Sequence, residues 1–213
     1  MSKRQVTWYY DFLSPYSYLA HEQLWRLPDD VELIYAPVLF AGLLNHWGTK
    51  GPAELESQRL FTLRYCHWLA ERNKIAFQAP VAHPFNPLPP LRLSIALGNS
   101  PKAVAGIFAY VWRDGYVPEQ TEHWNRLIES FADDTLRTRI DAPEVKGVLR
   151  DNTESAIDQG VFGVPTFIAD GELFWGQDGF EFLLDYLADP TLLASDAMRR
   201  IAQLPVGVKR TND

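Results

Sequence analysis

Apolar positions cluster in two short runs near the start of the chain, QVTWYYDF at 5–12 and VELIYAPV at 31–38, whose β-branched and aromatic content marks strands. Residues 15–27 between them carry a helical pattern, so the chain opens as a βαβ unit. From about residue 41 the texture changes to a Gly- and Asn-bearing loop, GLLNHWGTKGP. Pro52 then suits a first helical turn, and a helical pattern runs to about residue 72. The proline-rich APVAHPFNPLPPLRL reads as a stiff connector. Beyond it, Ser100-Pro101 forms an N-cap and first-turn pair for a helix with Val104, Ile107, Phe108 and Val111 on one face. Trp124, Leu127, Ile128 and Phe131 make a second stripe, and both stripes belong in the core. Asp141-Ala142-Pro143 starts a further helix, closed by Gly160.

After Gly160 the strand pattern returns. VPTFIA at 164–169, a tight Asp170-Gly171 turn and ELFW at 172–175 predict a β-hairpin, and Asp178-Gly179 leads into a last helix, FEFLLDYLA. From Pro190 onward the chain reads as an added helical piece. The order predicts an α/β domain in two parts, 1–40 (βαβ) and 150–213 (ββα plus tail), interrupted by an all-helical insertion at 41–149.

Composition narrows the partners. Across 213 residues, 46% hydrophobic and 22% charged content gives enough apolar surface for a core and argues against disorder. A formal net charge of −7 argues against nucleic acid and anionic membrane, which need clustered Lys and Arg. The N-terminus passes from two basic residues straight into a strand pattern, without an apolar leader, and no run approaches the roughly 18 apolar residues of a span, so a cytoplasmic protein is expected. A single cysteine, Cys66, rules out an internal disulfide and a cysteine metal cluster; it reads as a buried small hydrophobe. The five histidines lack the i, i+4 spacing of a helical zinc pair, so no metal site is expected. Seven Trp, nine Tyr and twelve Phe suit a core or a pocket for a flat organic ligand.

The candidate chemistry lies where the first strand runs into the first helix, at Ser14-Pro15-Tyr16-Ser17. A helix start presents unpaired N–H groups with partial positive charge, which favours an anion. Ser14 can cap this helix, and Pro15 fits a first-turn position where an N–H is not missed. On these grounds alone Ser14 reads first as an N-cap with no further role.

The βαβ…ββα order with Gly163-Val164-Pro165-Thr166 before the hairpin resembles the thioredoxin superfamily. That resemblance implies a cis Pro165 facing the start of the first helix and a Val164 backbone open to a peptide-like ligand. Ser14-Pro15-Tyr16-Ser17 occupies the slot of the Cys-x-x-Cys of disulfide oxidoreductases, so dithiol chemistry is lost. A site that holds a thiolate supplied by a ligand remains. Residues 11–20 (DFLSPYSYLA), 161–166 (VFGVPT) and 175–178 (WGQD) together resemble 2-hydroxychromene-2-carboxylate isomerase and its relatives, the kappa-class glutathione transferases. The resemblance implies a thioredoxin-like domain with a large helical insertion, a homodimer, and glutathione as cofactor. The sulfur is expected at Ser14, the glutathione backbone at Val164 and Pro165, and the γ-glutamyl end near Gly176, Gln177 and Asp178. Asp178 reads equally as the cap of the last helix.

The reaction implied is the interconversion of 2-hydroxychromene-2-carboxylate and trans-o-hydroxybenzylidenepyruvate by reversible thiolate addition, in the breakdown of naphthalene-like aromatics. Lys50, Arg92, Asn86 and Tyr18 are candidate contacts for this aromatic carboxylate. Gly48-Thr49 stands where many relatives carry a Gly-Asn pair. Three other readings stay open: irreversible thiol transfer to an electrophile, a non-catalytic peptide-binding thioredoxin relative, and a serine hydrolase, which lacks the G-x-S-x-G elbow.

Overall fold

The structure, a computed structural model, describes residues 3–208. Its frame is a mixed four-stranded sheet in the order β2-β1-β3-β4. The central strand β1 (Arg4–Tyr10) pairs in parallel with β2 (Val31–Pro37), from Arg4↔Val31 to Tyr10↔Pro37. On its other side it pairs antiparallel with β3 (Thr166–Ala169), which forms the predicted hairpin with β4 (Glu172–Trp175). The hairpin turn needs left-handed backbone at both positions, and Asp170 (φ 52°) and Gly171 (φ 84°) supply it.

The period-2 alternation of β1 divides the core between the two faces of the sheet. Val6, Trp8 and Tyr10 point to one side, where Tyr18 and Leu19 of α1 (Pro15–His21) and Phe180 and Leu183 of α9 (Gly179–Ala188) join them in the larger cluster. Tyr9 points to the other, with Leu43 of α2 (Phe40–Trp47), Ala156 of α8 (Pro143–Asp158) and the loop residues Val161 and Val164. The helical region contributes α3 (Glu56–Asn73), α4 (Leu88–Ala96), α5 (Pro101–Phe108), α6 (Thr121–Glu129) and α7 (Leu136–Arg139). As the sequence predicts, Ser100 caps α5 from its side chain, and Val104, Ile107, Phe108 and Val111 are fully buried. A turn of π-helix, Ala109–Arg113, continues α5, and α10 (Asp196–Ala202) lies in the tail. Residues 209–213 of the predicted tail lie outside the described residues. Among the described residues no helix is long and apolar enough to cross a membrane.

Four expectations need correction. The helix expected over 15–27 ends at His21 and gives way to a 3-10 turn at Leu24–Arg26, because Pro28 forces Leu27 into extended backbone (φ −61°, ψ 141°). The loop expected from residue 41 starts as α2. Its first N–H groups are capped from afar, Leu39 by Thr153 Oγ1 at 3.0 Å and Phe40 by Asp11 Oδ2 at 3.0 Å, a tertiary device that no local pattern signals. The second half of the proline-rich connector is α4: Pro89 and Pro90 fall in its first turn, where a missing N–H costs nothing. Finally, α8 runs unbroken across residue 149, so the end expected for the insertion falls inside a helix.

Candidate active site at the first strand-helix junction

The turn that carries Ser14 has nearly all its backbone polar groups paired. Ser14 N–H donates to Asp11 O at 3.0 Å, and Leu13 N–H donates to Asp11 Oδ1 at 2.9 Å. Trp112, on the π-helical turn, donates its indole N–H to Phe12 O at 2.8 Å, and His83 Nε2 meets Leu13 O at 3.0 Å. A carbonyl only accepts, so the His83 proton sits on Nε2. Burial lowers the pKa of this imidazole, and its Nδ1 is enclosed without a partner among the described residues. Side chains from two distant segments, together with Asp11 of the turn itself, thus hold four consecutive residues in place.

Ser14 is buried with extended backbone (φ −89°, ψ 116°), and its Oγ accepts from Ser17 N–H at 3.2 Å, so the capping role is real. The hydroxyl proton remains to be placed. It points at Val164 O, at 3.4 Å, a long contact that a better acceptor would displace at little cost. Because α1 has only seven residues, its dipole is small, and the hydroxyl is the stronger resource for an anion. Ser17 is fully buried and its hydroxyl has no partner among the described residues.

Facing Ser14, the Val164-Pro165 bond is cis. Strand β3 begins only at Thr166, so the main chain of Val164 lies outside the ladder, and its carbonyl takes the Ser14 hydroxyl instead. Pro165 O accepts from Gly176 N–H at 2.9 Å, which draws the Gly176-Gln177-Asp178 turn to this loop. Gly176 has φ 94°, a backbone conformation that favours glycine, and the Asp178 Oδ1 that a Cβ would meet is the end of an exposed side chain that can turn away. Asp178 does not cap α9: it is exposed and makes no side-chain bond to that helix. Neither it nor Gln177 has a side-chain partner among the described residues.

The other candidates divide. Lys50 is exposed, three residues beyond Trp47, whose indole N–H donates to Val161 O at 2.9 Å and so ties the Lys50 loop to the loop of Val164. Asn86 lies three residues beyond His83, but its Oδ1 accepts from Leu88 N–H at 3.1 Å and starts α4. Tyr18 is corrected: it is buried in the core and its hydroxyl donates to Ala76 O, so it presents no free polar group to a substrate. Arg92 is corrected too, because its guanidinium pairs with Asp141 at 3.1 Å in a hollow of about 270 Å³ that includes no other candidate residue.

Sequence reading missed Asp11, Trp47, His83 and Trp112. Asp11 alone carried a local signal, a carboxylate two residues before Leu13, the spacing of an Asx-turn. Burial pushes its pKa up to about 6 against the opposing pull of the Leu13 and Phe40 N–H groups.

Comparison with known proteins agrees with this architecture. The DSBA-like thioredoxin domain matches residues 5–188, and the chain belongs to that family. A 2-hydroxychromene-2-carboxylate isomerase of Pseudomonas sp. (strain C18) is 29% identical over 191 residues, covering 81% of this chain and 85% of its own. Glutathione S-transferase kappa 1 of Homo sapiens is 28% identical over 207 residues, covering 87% and 92%. A solved structure of 2-hydroxychromene-2-carboxylate isomerase superposes with a TM-score of 0.76 at 23% identity, covering 91% of this chain and 98% of that one, and shares its fold.

Proposed function

We propose that the protein is a glutathione-dependent cis-trans isomerase acting on 2-hydroxychromene-2-carboxylate or a closely similar conjugated aromatic acid. One observation carries the reading: the Ser14 hydroxyl, held in a closely tied turn, faces the cis Val164-Pro165 loop with a proton it can redirect. The donor set fits glutathione. Val164 offers backbone that the sheet ladder does not use, while the exposed carboxylate of Asp178 and the unpaired amide of Gln177 match the ammonium and carboxylate of a γ-glutamyl group.

When bound, glutathione supplies a nucleophilic sulfur whose reversible addition to a conjugated double bond allows that bond to rotate. Ser14 has to keep that sulfur ionised. A free thiol of pKa about 8.5 is only a few per cent thiolate at neutral pH, and lowering it by about two units takes roughly 2.7 kcal/mol of preference for the anion. A hydrogen bond to a charged group supplies about 1.5 to 3 kcal/mol, so Ser14 with the short α1 suffices without a general base. Lys50, the free cation on the tethered loop, is the contact proposed for the substrate carboxylate.

A calorimetric titration with reduced glutathione, on the wild type and Ser14→Ala, tests the reading. Saturable binding with proton release in the wild type, lost in the variant, is the expected result; no binding to the wild type refutes it. The nearly equal identities to an isomerase and a kappa-class transferase favour a second reading, irreversible transfer of the thiol to an electrophile. Measuring free glutathione before and after turnover separates the two, because transfer consumes it.

A further inference from the structure

The chemistry above leaves one buried carboxylate without a role. Asp11 is fully buried, and both its oxygens are engaged, Oδ1 by Leu13 N–H at 2.9 Å and Oδ2 by Phe40 N–H at 3.0 Å. Its main-chain oxygen accepts from Ser14 N–H at 3.0 Å. The Leu13 and Ser14 bonds close the turn that presents the Ser14 hydroxyl. The Phe40 bond fixes the first residue of α2, whose N-cap residue Leu39 offers no acceptor, and whose far end carries Trp47 and the Lys50 loop.

Two N–H donors arriving at two separate oxygens require an acceptor on each. A carboxylate provides both, whereas an amide would turn its own NH2 against one of the donors. Burying a carboxylate is costly, so a position that only filled space would be better served by a neutral side chain of similar volume.

We propose that Asp11 is a positioning residue of the Ser14 site, aligning the Ser14 hydroxyl with the bound sulfur and setting the Lys50 loop in register with it. The inference rests on the glutathione reading of that site. Asp11 acts through Ser14 and touches neither ligand nor reacting atoms.

The test is the ionisation of bound glutathione, followed by its ultraviolet thiolate absorbance across a pH titration, in the wild type and Asp11→Asn. Two effects have opposite signs. Loss of a nearby negative charge by itself lowers the thiol pKa, whereas a misplaced Ser14 hydroxyl raises it. The expected result is a rise of about one unit, a roughly tenfold smaller thiolate fraction below that pKa. A fall, or no change, overturns the inference. Should Asp11→Asn fail to fold, Asp11→Glu replaces it: the charge stays and only the geometry is lost, so a rise supports the role and an unshifted titration overturns it. A wild type that binds no glutathione removes the underlying reading and this inference together, whereas a normal wild-type titration beside an unshifted variant removes the inference alone.

Discussion

Helices α1 and α9 both start close behind a strand on the rim of the same site, and the two starts are built in opposite ways. At α1 the cap Ser14 is buried in extended backbone, and the turn before it is tied by Asp11, His83 and Trp112. At α9 the residue in the cap position, Asp178, has helical backbone (φ −74°, ψ −28°), lies exposed and caps nothing. A donor that has to sit at a fixed distance from a developing charge gains from being locked before the ligand arrives. Groups that only grip the charged end of a ligand can stay in water until it comes. On the proposed reading, the contrast puts chemistry at the first start and recognition at the second.

The largest effect is expected at the locked start. Ser14→Ala should cut turnover by about 100-fold, the loss of one hydrogen bond to an anion, and lower stability by about 1 kcal/mol through the lost cap. Steady-state kinetics with a urea melt reads both; turnover within about twofold of wild type would break the comparison on its chemical side. At the open start, Asp178→Asn should weaken glutathione binding by about tenfold and leave turnover at saturating glutathione nearly intact. A calorimetric affinity equal to wild type would remove Asp178 from the site. Gly176→Ala should weaken binding similarly, because Asp178 has to turn away from the new Cβ, and also destabilise by about 1 to 3 kcal/mol, since the left-handed backbone resists a side chain.

Smaller effects sharpen the picture of how the first start is held. The pKa of His83 is lowered by burial, so the unfolded chain takes up its proton first as pH falls. The stability tied to its neutral form is complete above about pH 6.5, the ordinary histidine value, and declines as pH drops below it. His83→Gln keeps an N–H for Leu13 O without titrating, and its urea midpoint should fall less than that of the wild type between about pH 7 and about pH 5. Asp11 has the opposite slope: its raised pKa makes its contribution complete below about pH 4 and lost as pH rises through about 6. Smallest of all, Tyr18→Phe should cost about 1 kcal/mol of stability with turnover unchanged, because its hydroxyl serves only Ala76 O.

Much of this was legible in the residues, where the signal is local. The β-branched and aromatic run of β1, the apolar face of α5, the Asp170-Gly171 turn and the proline after Ser14 each depend on neighbours a few positions away, and each appears as predicted. The two clear errors among the site candidates share one cause. Tyr18 and Arg92 are residue types suited to binding, but whether such a group is free depends on what faces it across the fold, Ala76 O in one case and Asp141 in the other.

By itself, then, the sequence determined the strands, most of the helices, the serine at the start of the first helix, and the proline before the hairpin. Those are properties of short segments, set by backbone preference and hydrophobic period. Only the tertiary structure decided which polar groups remain free for a ligand, that α2 begins at Phe40, and that Asp11, His83 and Trp112 converge on one turn. Each of those is a hydrogen bond between residues separated by 2 to 100 positions, and apart from the Asp11 turn no short pattern encodes which buried donor will meet which buried acceptor.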